Sequence, residues 1–127
     1  MTSKPETQHP TPKAYFIFRE DLALPAPKLA VQVGHGVDRI WQNAACDIEA
    51  FAAWLDRSQG DRRKVLLRIK GESQLLKLRE ELDAEGFISF EIVDSGYNLV
   101  APGTVTGLVL FPTALTCRQL KRLQALR

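Results

Sequence analysis

Hydrophobic and polar positions follow two different periods along residues 13–127. Continuous aromatic and β-branched runs predict strands, and apolar residues spaced three or four apart predict helices. The predicted strands are 13–19, 64–70, 88–94 and 104–111. Four helices are predicted, and the first covers residues 27–43. The second is capped by Asp47 and has Ile48, Phe51 and Leu55 on its core face. The third covers 74–85, with Leu75, Leu78 and Leu82 on its core face, and the fourth covers 114–126.

The lengths of the connections predict how the strands are arranged. Helices join the first three strands, which permits parallel crossovers. The last two strands are separated only by residues 95–103, which contain Gly96 and Pro102-Gly103 and no helix. A parallel return is improbable over so short a loop. We therefore predict an α/β fold: one mixed four-stranded sheet, with three parallel strands and one antiparallel strand, packed by about four helices.

Length and composition limit the class of protein. The 127 residues, 45% hydrophobic and 25% charged, suit a single globular domain over 13–127 behind a flexible polar tail at 1–12. No apolar run approaches the length of a membrane span, so we expect a cytoplasmic protein with no membrane partner. Cys46 and Cys117 are too few for a disulfide scaffold, and we expect neither a metal nor a cofactor. Both tryptophans, Trp41 and Trp54, are expected in the core.

Positive charge is concentrated in two segments. Residues 57–70 contain six basic side chains and one acid, and residues 113–127 contain four basic side chains and no acid, although the net charge is only +2. Two interpretations stay open. The segments form two separate solvated faces, or they meet in the fold and form a surface that attracts polyanions.

Candidate chemistry lies where the chain leaves the strands. In sheets of this type, sites form outside the carboxyl ends of parallel strands. Residues 19–22 leave the first strand, Lys28 opens the first helix, and Asp94 leaves the third strand. The topology therefore predicts a lysine and an aspartate at one edge. Equally, Lys28 could be a solvated lysine and Asp94 could organise a turn.

The first helix has a polar stripe and a separate apolar face. Gly34 and Gly36 flank His35 and weaken the helix, which suggests a close approach of the backbone to the sheet or to a ligand. His35 itself is either a structural histidine or part of a site. The stripe consists of Lys28, Gln32, His35 and Arg39, and the apolar face consists of Leu29, Val33, Val37 and Ile40.

Three segments of the chain resemble the type 2 peptidyl-tRNA hydrolases. Residues 19–36 (REDLALPAPKLAVQVGHG) are similar to the family pattern R-x-D-L-x-M-x-x-G-K-x-x-x-Q-x-x-H-[AS]. Residues 54–68 resemble its W…K-V-V-L-K segment. Residues 94–112 are similar to its D-A-G-x-T…P-G-T-x-T…P block. The order and spacing match over about residues 13–113.

The resemblance implies a fold, an activity and a set of site residues. The fold would be a mixed four-stranded sheet with surrounding helices, and the activity would be hydrolysis of the ester that joins a peptide to the 3′ ribose of tRNA. Asp94 would orient or deprotonate water while Lys28 stabilises negative charge. The basic segments would bind the tRNA backbone. The implied catalytic residues are Lys28, Asp94 and His35, and the implied substrate-binding residues are Arg19, Asp21, Gln32, Asn98 and Thr104.

The chain departs from the family pattern at three positions near this site. Pro27 replaces glycine, Ser95 replaces alanine and Asn98 replaces threonine. An alternative function is therefore a non-catalytic module that binds RNA or another anionic ligand on the same fold. Peptidyl-tRNA is the expected partner. The oligomeric state stays open, with a homodimer as one alternative.

Overall fold

The computed structural model describes residues 11–94 and 101–126, so the predicted site residue Asn98 and most of the predicted tail lie outside the described residues. The strands are β1 (Ala14–Arg19), β2 (Lys64–Ile69), β3 (Ser89–Val93), β4 (Val105–Leu110) and β5 (Gln124–Ala125). The helices are α1 (Ala26–Gln42), α2 (Ile48–Leu55), α3 (Glu72–Ala84) and α4 (Arg118–Arg122), with 3₁₀ turns at Glu20–Leu22 and Ala44–Cys46.

The strands form one mixed sheet in the order β3-β4-β1-β2-β5. The predicted mixed α/β domain is confirmed, but the predicted sheet of four strands, three parallel and one antiparallel, differs in detail because a fifth strand, β5, joins it antiparallel to β2. Within the described chain, β1 and β2 are the only parallel pair, and β4 is antiparallel to both β1 and β3. Consequently β3 runs in the same direction as β1 without touching it. Connection lengths did not reveal that β4, buried almost throughout, takes a central position.

The predicted C-terminal helix 114–126 is also wrong for most of its length. Helix α4 contains five residues, and the chain then extends and pairs β5 with the edge of β2. Leu123 packs on one face of the sheet and Leu126 on the other. An extended segment places side chains on both faces of a sheet, whereas a helix lying on one face does not.

Each face of the sheet carries its own core. Strand β1 alternates its side chains between the two, with Phe16 and Phe18 toward α1 and α2, and Tyr15 and Ile17 toward α3. The predicted core-facing residues of the two long helices are confirmed. Those of α3 (Leu75, Leu78, Leu82) are buried on one face, and those of α1 (Leu29, Val33, Val37, Ile40) pack on the other.

The predicted cap of α2 is confirmed, whereas two of the residues predicted in the core are exposed. Asp47 caps α2 by accepting a hydrogen bond from the Ala50 N–H at 3.0 Å, as predicted. Trp54 is fully buried as expected, but Trp41 is 51% exposed because it packs edge-on against Phe51 and leaves its other side open. Ile48, predicted on the core face, is 69% exposed at the first turn of α2.

Across residues 11–94 and 101–126, no helix is both long and apolar enough to cross a membrane.

At Gly36, α1 lies close against the sheet. A Cβ atom at this position would lie 2.6 Å from Phe16 Cε2 and 3.2 Å from Ile92 Cδ1. At Gly34, an added Cβ would meet no atom within 4 Å. The close approach expected from the sequence therefore occurs at Gly36, toward the sheet, and not at Gly34.

We expect alanine substitutions at these two glycines to have opposite effects on stability. Gly34→Ala should raise the free energy of unfolding by about 1 kcal/mol, the ordinary helix preference for alanine. Gly36→Ala gains the same preference but overpacks Phe16 at a cost of about 1–3 kcal/mol, so it should lower stability by up to about 2 kcal/mol. Urea unfolding of both variants measures the difference. An equal stabilisation of both would contradict the packing described here.

Candidate active site

Lys28 and Asp94 form a buried ion pair. Lys28 Nζ lies 3.0 Å from Asp94 Oδ1, and the side chains are 13% and 1% exposed. The prediction that these two groups meet at one edge of the sheet is confirmed. Because charges are costly to remove from water, each group compensates the buried charge of the other.

Local backbone chemistry places both members of the pair. Pro25 has the extended backbone of an N-cap, and Pro27 suits the first turn, so α1 begins just ahead of Lys28. Asp94 follows β3, where its N–H donates to the Thr104 carbonyl and its carbonyl accepts from the Gly103 N–H, both at 3.0 Å. A lysine near the positive end of a helix dipole is unfavourable alone. The carboxylate of Asp94 offsets this cost.

Gln32 and Thr106 extend the pair into a buried polar network. Gln32 Nε2 donates to Asp94 Oδ1 at 2.8 Å, and Thr106 Oγ1 donates to Gln32 Oε1 at 2.9 Å. Both residues are fully buried. The Thr106 hydroxyl therefore fixes the orientation of the Gln32 amide, so that its NH₂ group faces the carboxylate.

Sequence reasoning missed Thr106 and selected Thr104 instead. Thr106 lies in the apolar run of β4, where one polar residue facing α1 was the available signal. Thr104 Oγ1 donates to the Ala101 carbonyl at 2.7 Å and closes the turn before β4. A substrate-binding role for Thr104 stays a prediction.

Arg19 and Asp21 form a second polar unit at the end of β1. Arg19 donates to both carboxylate oxygens of Asp21 at 3.0 and 2.9 Å, and its Nη1 donates to the Val105 carbonyl at 3.0 Å. This hydrogen bonding raises the pKa of Arg19 and lowers the pKa of Asp21 from their ordinary values. The unit ties the exit of β1 to the start of β4, beside the network of Thr106.

His35 lies farther along the polar stripe of α1. It lines a cavity of about 260 Å³ together with Asp38, Arg39, Gln42 and Val93. Val93 directly precedes Asp94 in the chain, so this cavity adjoins the site. A catalytic role for His35 stays a prediction.

We expect Asp21→Asn to destabilise the protein in a pH-dependent manner. The pKa of Asp21 is lower in the folded state, so its contribution is present above its ordinary value of 3.8 and is lost as pH falls through the folded value. Because Asp21 is 44% exposed, the loss at pH 7 should be about 0.5–1 kcal/mol. Urea unfolding at pH 7 and pH 3 tests this. A difference from the unmodified protein that persists undiminished at pH 3 would argue against the ion pair as its source.

Comparison with known proteins assigns the chain to a family. Residues 12–120 match the family described as Peptidyl-tRNA hydrolase PTH2. A peptidyl-tRNA hydrolase of Thermococcus sibiricus is 35% identical over 101 residues, covering 79% of this chain and 83% of that protein. The enzyme of the same name from Methanopyrus kandleri is 35% identical over 100 residues, covering 79% and 84%. The chain belongs to the PTH2 family of peptidyl-tRNA hydrolases.

Proposed function

We propose that Lys28 and Asp94 are the catalytic centre at which this protein hydrolyses peptidyl-tRNA. Membership of the family establishes the reaction, in which water cleaves the ester between peptide and tRNA. The observation that carries the assignment of residues is the 3.0 Å contact between the ammonium of a mostly buried lysine side chain and a buried carboxylate. Nothing among the described residues favours the non-catalytic alternative.

The two groups suit the two demands of ester hydrolysis. Asp94 accepts a proton from water as the water oxygen attacks the ester carbonyl carbon. The negative charge that develops on the carbonyl oxygen is stabilised by Lys28, whose ammonium has three N–H donors and uses only part of them on Asp94. When the carbon–oxygen bond to the ribose breaks, the proton on Asp94 passes to the departing 3′ oxygen. The products are a free peptide carboxyl group and tRNA with a 3′ hydroxyl.

Gln32 and Thr106 act in this proposal as positioning residues. Gln32 donates to the same oxygen of Asp94 that contacts Lys28, so it limits rotation of the carboxylate. Thr106 in turn determines which end of the Gln32 amide faces Asp94. His35 is proposed as a third catalytic residue beside Lys28 and Asp94. The proposed substrate-binding residues are Arg19, Asp21, Gln32, Asn98 and Thr104.

The tRNA portion is proposed to bind at the β2–β5 side of the sheet. Pairing of β5 with β2 brings the two basic segments together, as in Leu67 with Ala125 and in the hydrogen bond from Arg68 to Gln124. This surface, termed the basic edge, consists of Arg57, Arg62, Arg63, Lys64, Arg68, Lys70, Arg118, Lys121 and Arg122. A cluster of cations that contacts phosphates binds RNA without reading its sequence.

The cellular setting and assembly are part of the same proposal. A cytoplasmic location suits an enzyme whose substrate is produced during translation. Homodimer formation stays a prediction, which the sedimentation coefficient of the purified protein would measure.

We expect Lys28→Met and Asp94→Asn to abolish most of the hydrolysis of N-acetyl-aminoacyl-tRNA. Loss of the proton acceptor should lower kcat about 10²–10⁴-fold. Loss of the oxyanion-stabilising cation should lower kcat about 10²–10³-fold. Single-turnover release of free tRNA measures both effects. Asp56→Asn removes an exposed carboxylate of the loop after α2 and should leave the rate unchanged.

Folding must be checked for these variants because removing one member of a buried pair leaves the other uncompensated. Circular dichroism and a urea midpoint separate misfolding from lost chemistry. A well-folded Asp94→Asn protein with full activity would remove Asp94 from the mechanism.

Removing two cations from the basic edge should weaken tRNA binding and its dependence on salt. For Lys121→Ala/Arg122→Ala, the slope of log affinity against log salt should become shallower by about one for each phosphate that the variant no longer neutralises. Lys77→Ala, an exposed lysine on α3, serves as a charge control. Filter binding at several salt concentrations gives the slopes. Equal slopes for all proteins would exclude this edge as the tRNA surface.

A further inference from the structure

Strand β3 forms an edge of the sheet and ends at the proposed catalytic centre. Among the described residues it pairs with β4 alone. Its bonds to β4 include the Phe111 N–H to the Ile88 carbonyl at 2.8 Å and the Asp94 N–H to the Thr104 carbonyl at 3.0 Å. Backbone groups alternate sides along a strand, so those of the intervening odd-numbered residues face away from β4. These residues are Ser89, Glu91 and Val93.

Three neighbouring cavities that share lining residues form a groove along this edge. The cavity of about 260 Å³ next to the catalytic centre contains His35 and Val93. A second, of about 270 Å³, shares Arg39 and Val93 with the first and also contains Arg79. A third, of about 290 Å³, shares Arg79 with the second and reaches Ser89. The groove therefore runs along all of β3, between α1 on one side and α3 on the other.

The charge of this β3 groove differs from that of the basic edge. The Arg79 guanidinium is paired with the Glu91 carboxylate at 2.8 Å, so it is already partly neutralised. Carboxylates outnumber guanidiniums along the groove, which makes it a poor site for a polyanionic RNA backbone. The carboxylates are Asp38, Glu80, Asp83 and Glu91, and the guanidiniums are Arg39 and Arg79.

We propose that the β3 edge binds the peptide portion of peptidyl-tRNA as an added strand. The inference rests on the proposed function, because it places the ester carbonyl beside Asp94. The ester is at the C-terminal end of the peptide, and β3 runs toward Asp94. The peptide therefore lies parallel to β3, with its earlier residues extending back toward Ser89. Main-chain hydrogen bonds supply the binding energy, as in other cases of strand addition.

This mode of binding suits a substrate of variable sequence. Hydrogen bonds to a strand edge involve only peptide backbone, so they do not depend on the side chains of the bound chain. Strand β3 has five residues, which limits the number of peptide residues that can pair with it. We therefore expect kcat/KM to rise with peptide length up to about five residues and then to level off.

The variant that tests the edge is Glu91→Pro, with Glu91→Ala as its matched control. Both remove the carboxylate that pairs with Arg79, but proline also removes the N–H that faces away from β4. Each protein is assayed on tRNA that carries one N-acetylated residue and on tRNA that carries a five-residue peptide with the same C-terminal residue. In Glu91→Ala, kcat/KM for the longer substrate should stay about 5-fold higher than for the shorter one, as expected for one or two net hydrogen bonds. Glu91→Pro should lose that advantage while still hydrolysing the short substrate as Glu91→Ala does.

The outcomes separate this inference from the proposed function. Equal kcat/KM for short and long substrates in the unmodified protein, or a folded Glu91→Pro that keeps the length advantage, would overturn peptide binding at β3 and leave the catalytic proposal standing. Activity that survives Asp94→Asn would instead overturn the catalytic proposal.

Amide hydrogen exchange on the unmodified protein gives a second measurement, which does not require the Glu91→Pro variant to fold. The probe is a five-residue peptide joined to 3′-amino-3′-deoxyadenosine by an amide in place of the ester. It should slow exchange at Ser89, Glu91 and Val93 and leave β5 unchanged. No change in exchange at β3 would overturn the inference. Equal protection of β3 by deacylated tRNA would also overturn it, because that result would indicate that RNA occupies the groove.

Discussion

The site depends on bringing one positive and one negative charge together out of water. Neither Lys28 nor Asp94 could be buried alone at acceptable cost, so the start of α1 and the end of β3 have to meet within hydrogen-bonding distance. Packing supplies this constraint, because α1 rests on the sheet through Phe16 at Gly36, two turns beyond Lys28. The same packing encloses Gln32 and Thr106, whose hydrogen bonds leave the carboxylate little freedom to rotate. A rigid, largely dry carboxylate–ammonium pair is a suitable arrangement for stabilising charge that develops during a reaction.

In the function proposed here, the sheet order gives each of the two chemically different parts of the substrate its own side of the domain. The β2 side ends in β5, which joins two basic segments that are far apart in the sequence. The β3 side carries mixed charge and a strand edge that ends beside Asp94. The proposed catalytic centre lies where α1 begins and β3 ends, and it would receive the ester that joins the tRNA to the peptide. In this proposal, the division of the substrate therefore follows the division of the sheet.

The sequence predicted those features that depend on short-range patterns. Apolar spacing located α1 and α3 and their buried faces, and the exit points of β1 and β3 led to Lys28 and Asp94. It did not predict which residues and strands become neighbours where alternative tertiary contacts compete. Trp41 is a large aromatic residue of the kind expected in a core, but it packs against Phe51 on one side and is exposed on the other. The leucines after α4 have helical spacing, yet they extend because the edge of β2 offers backbone partners and both faces of the sheet offer apolar contacts.

Thr106 illustrates a further limit and links the network to the rest of the fold. A threonine in a strand is ordinary, since β-branched residues favour the pleated sheet, so a single polar residue in the apolar run of β4 is only a weak signal for a role in the site. Its importance arises only because β4 lies inside the sheet, between β3 and β1, which turns the hydroxyl toward Gln32 on α1. The interior place of β4 in the sheet, which the connection lengths did not predict, is thus what completes the hydrogen-bond network. Strand order and site composition share one requirement: both depend on which elements become neighbours.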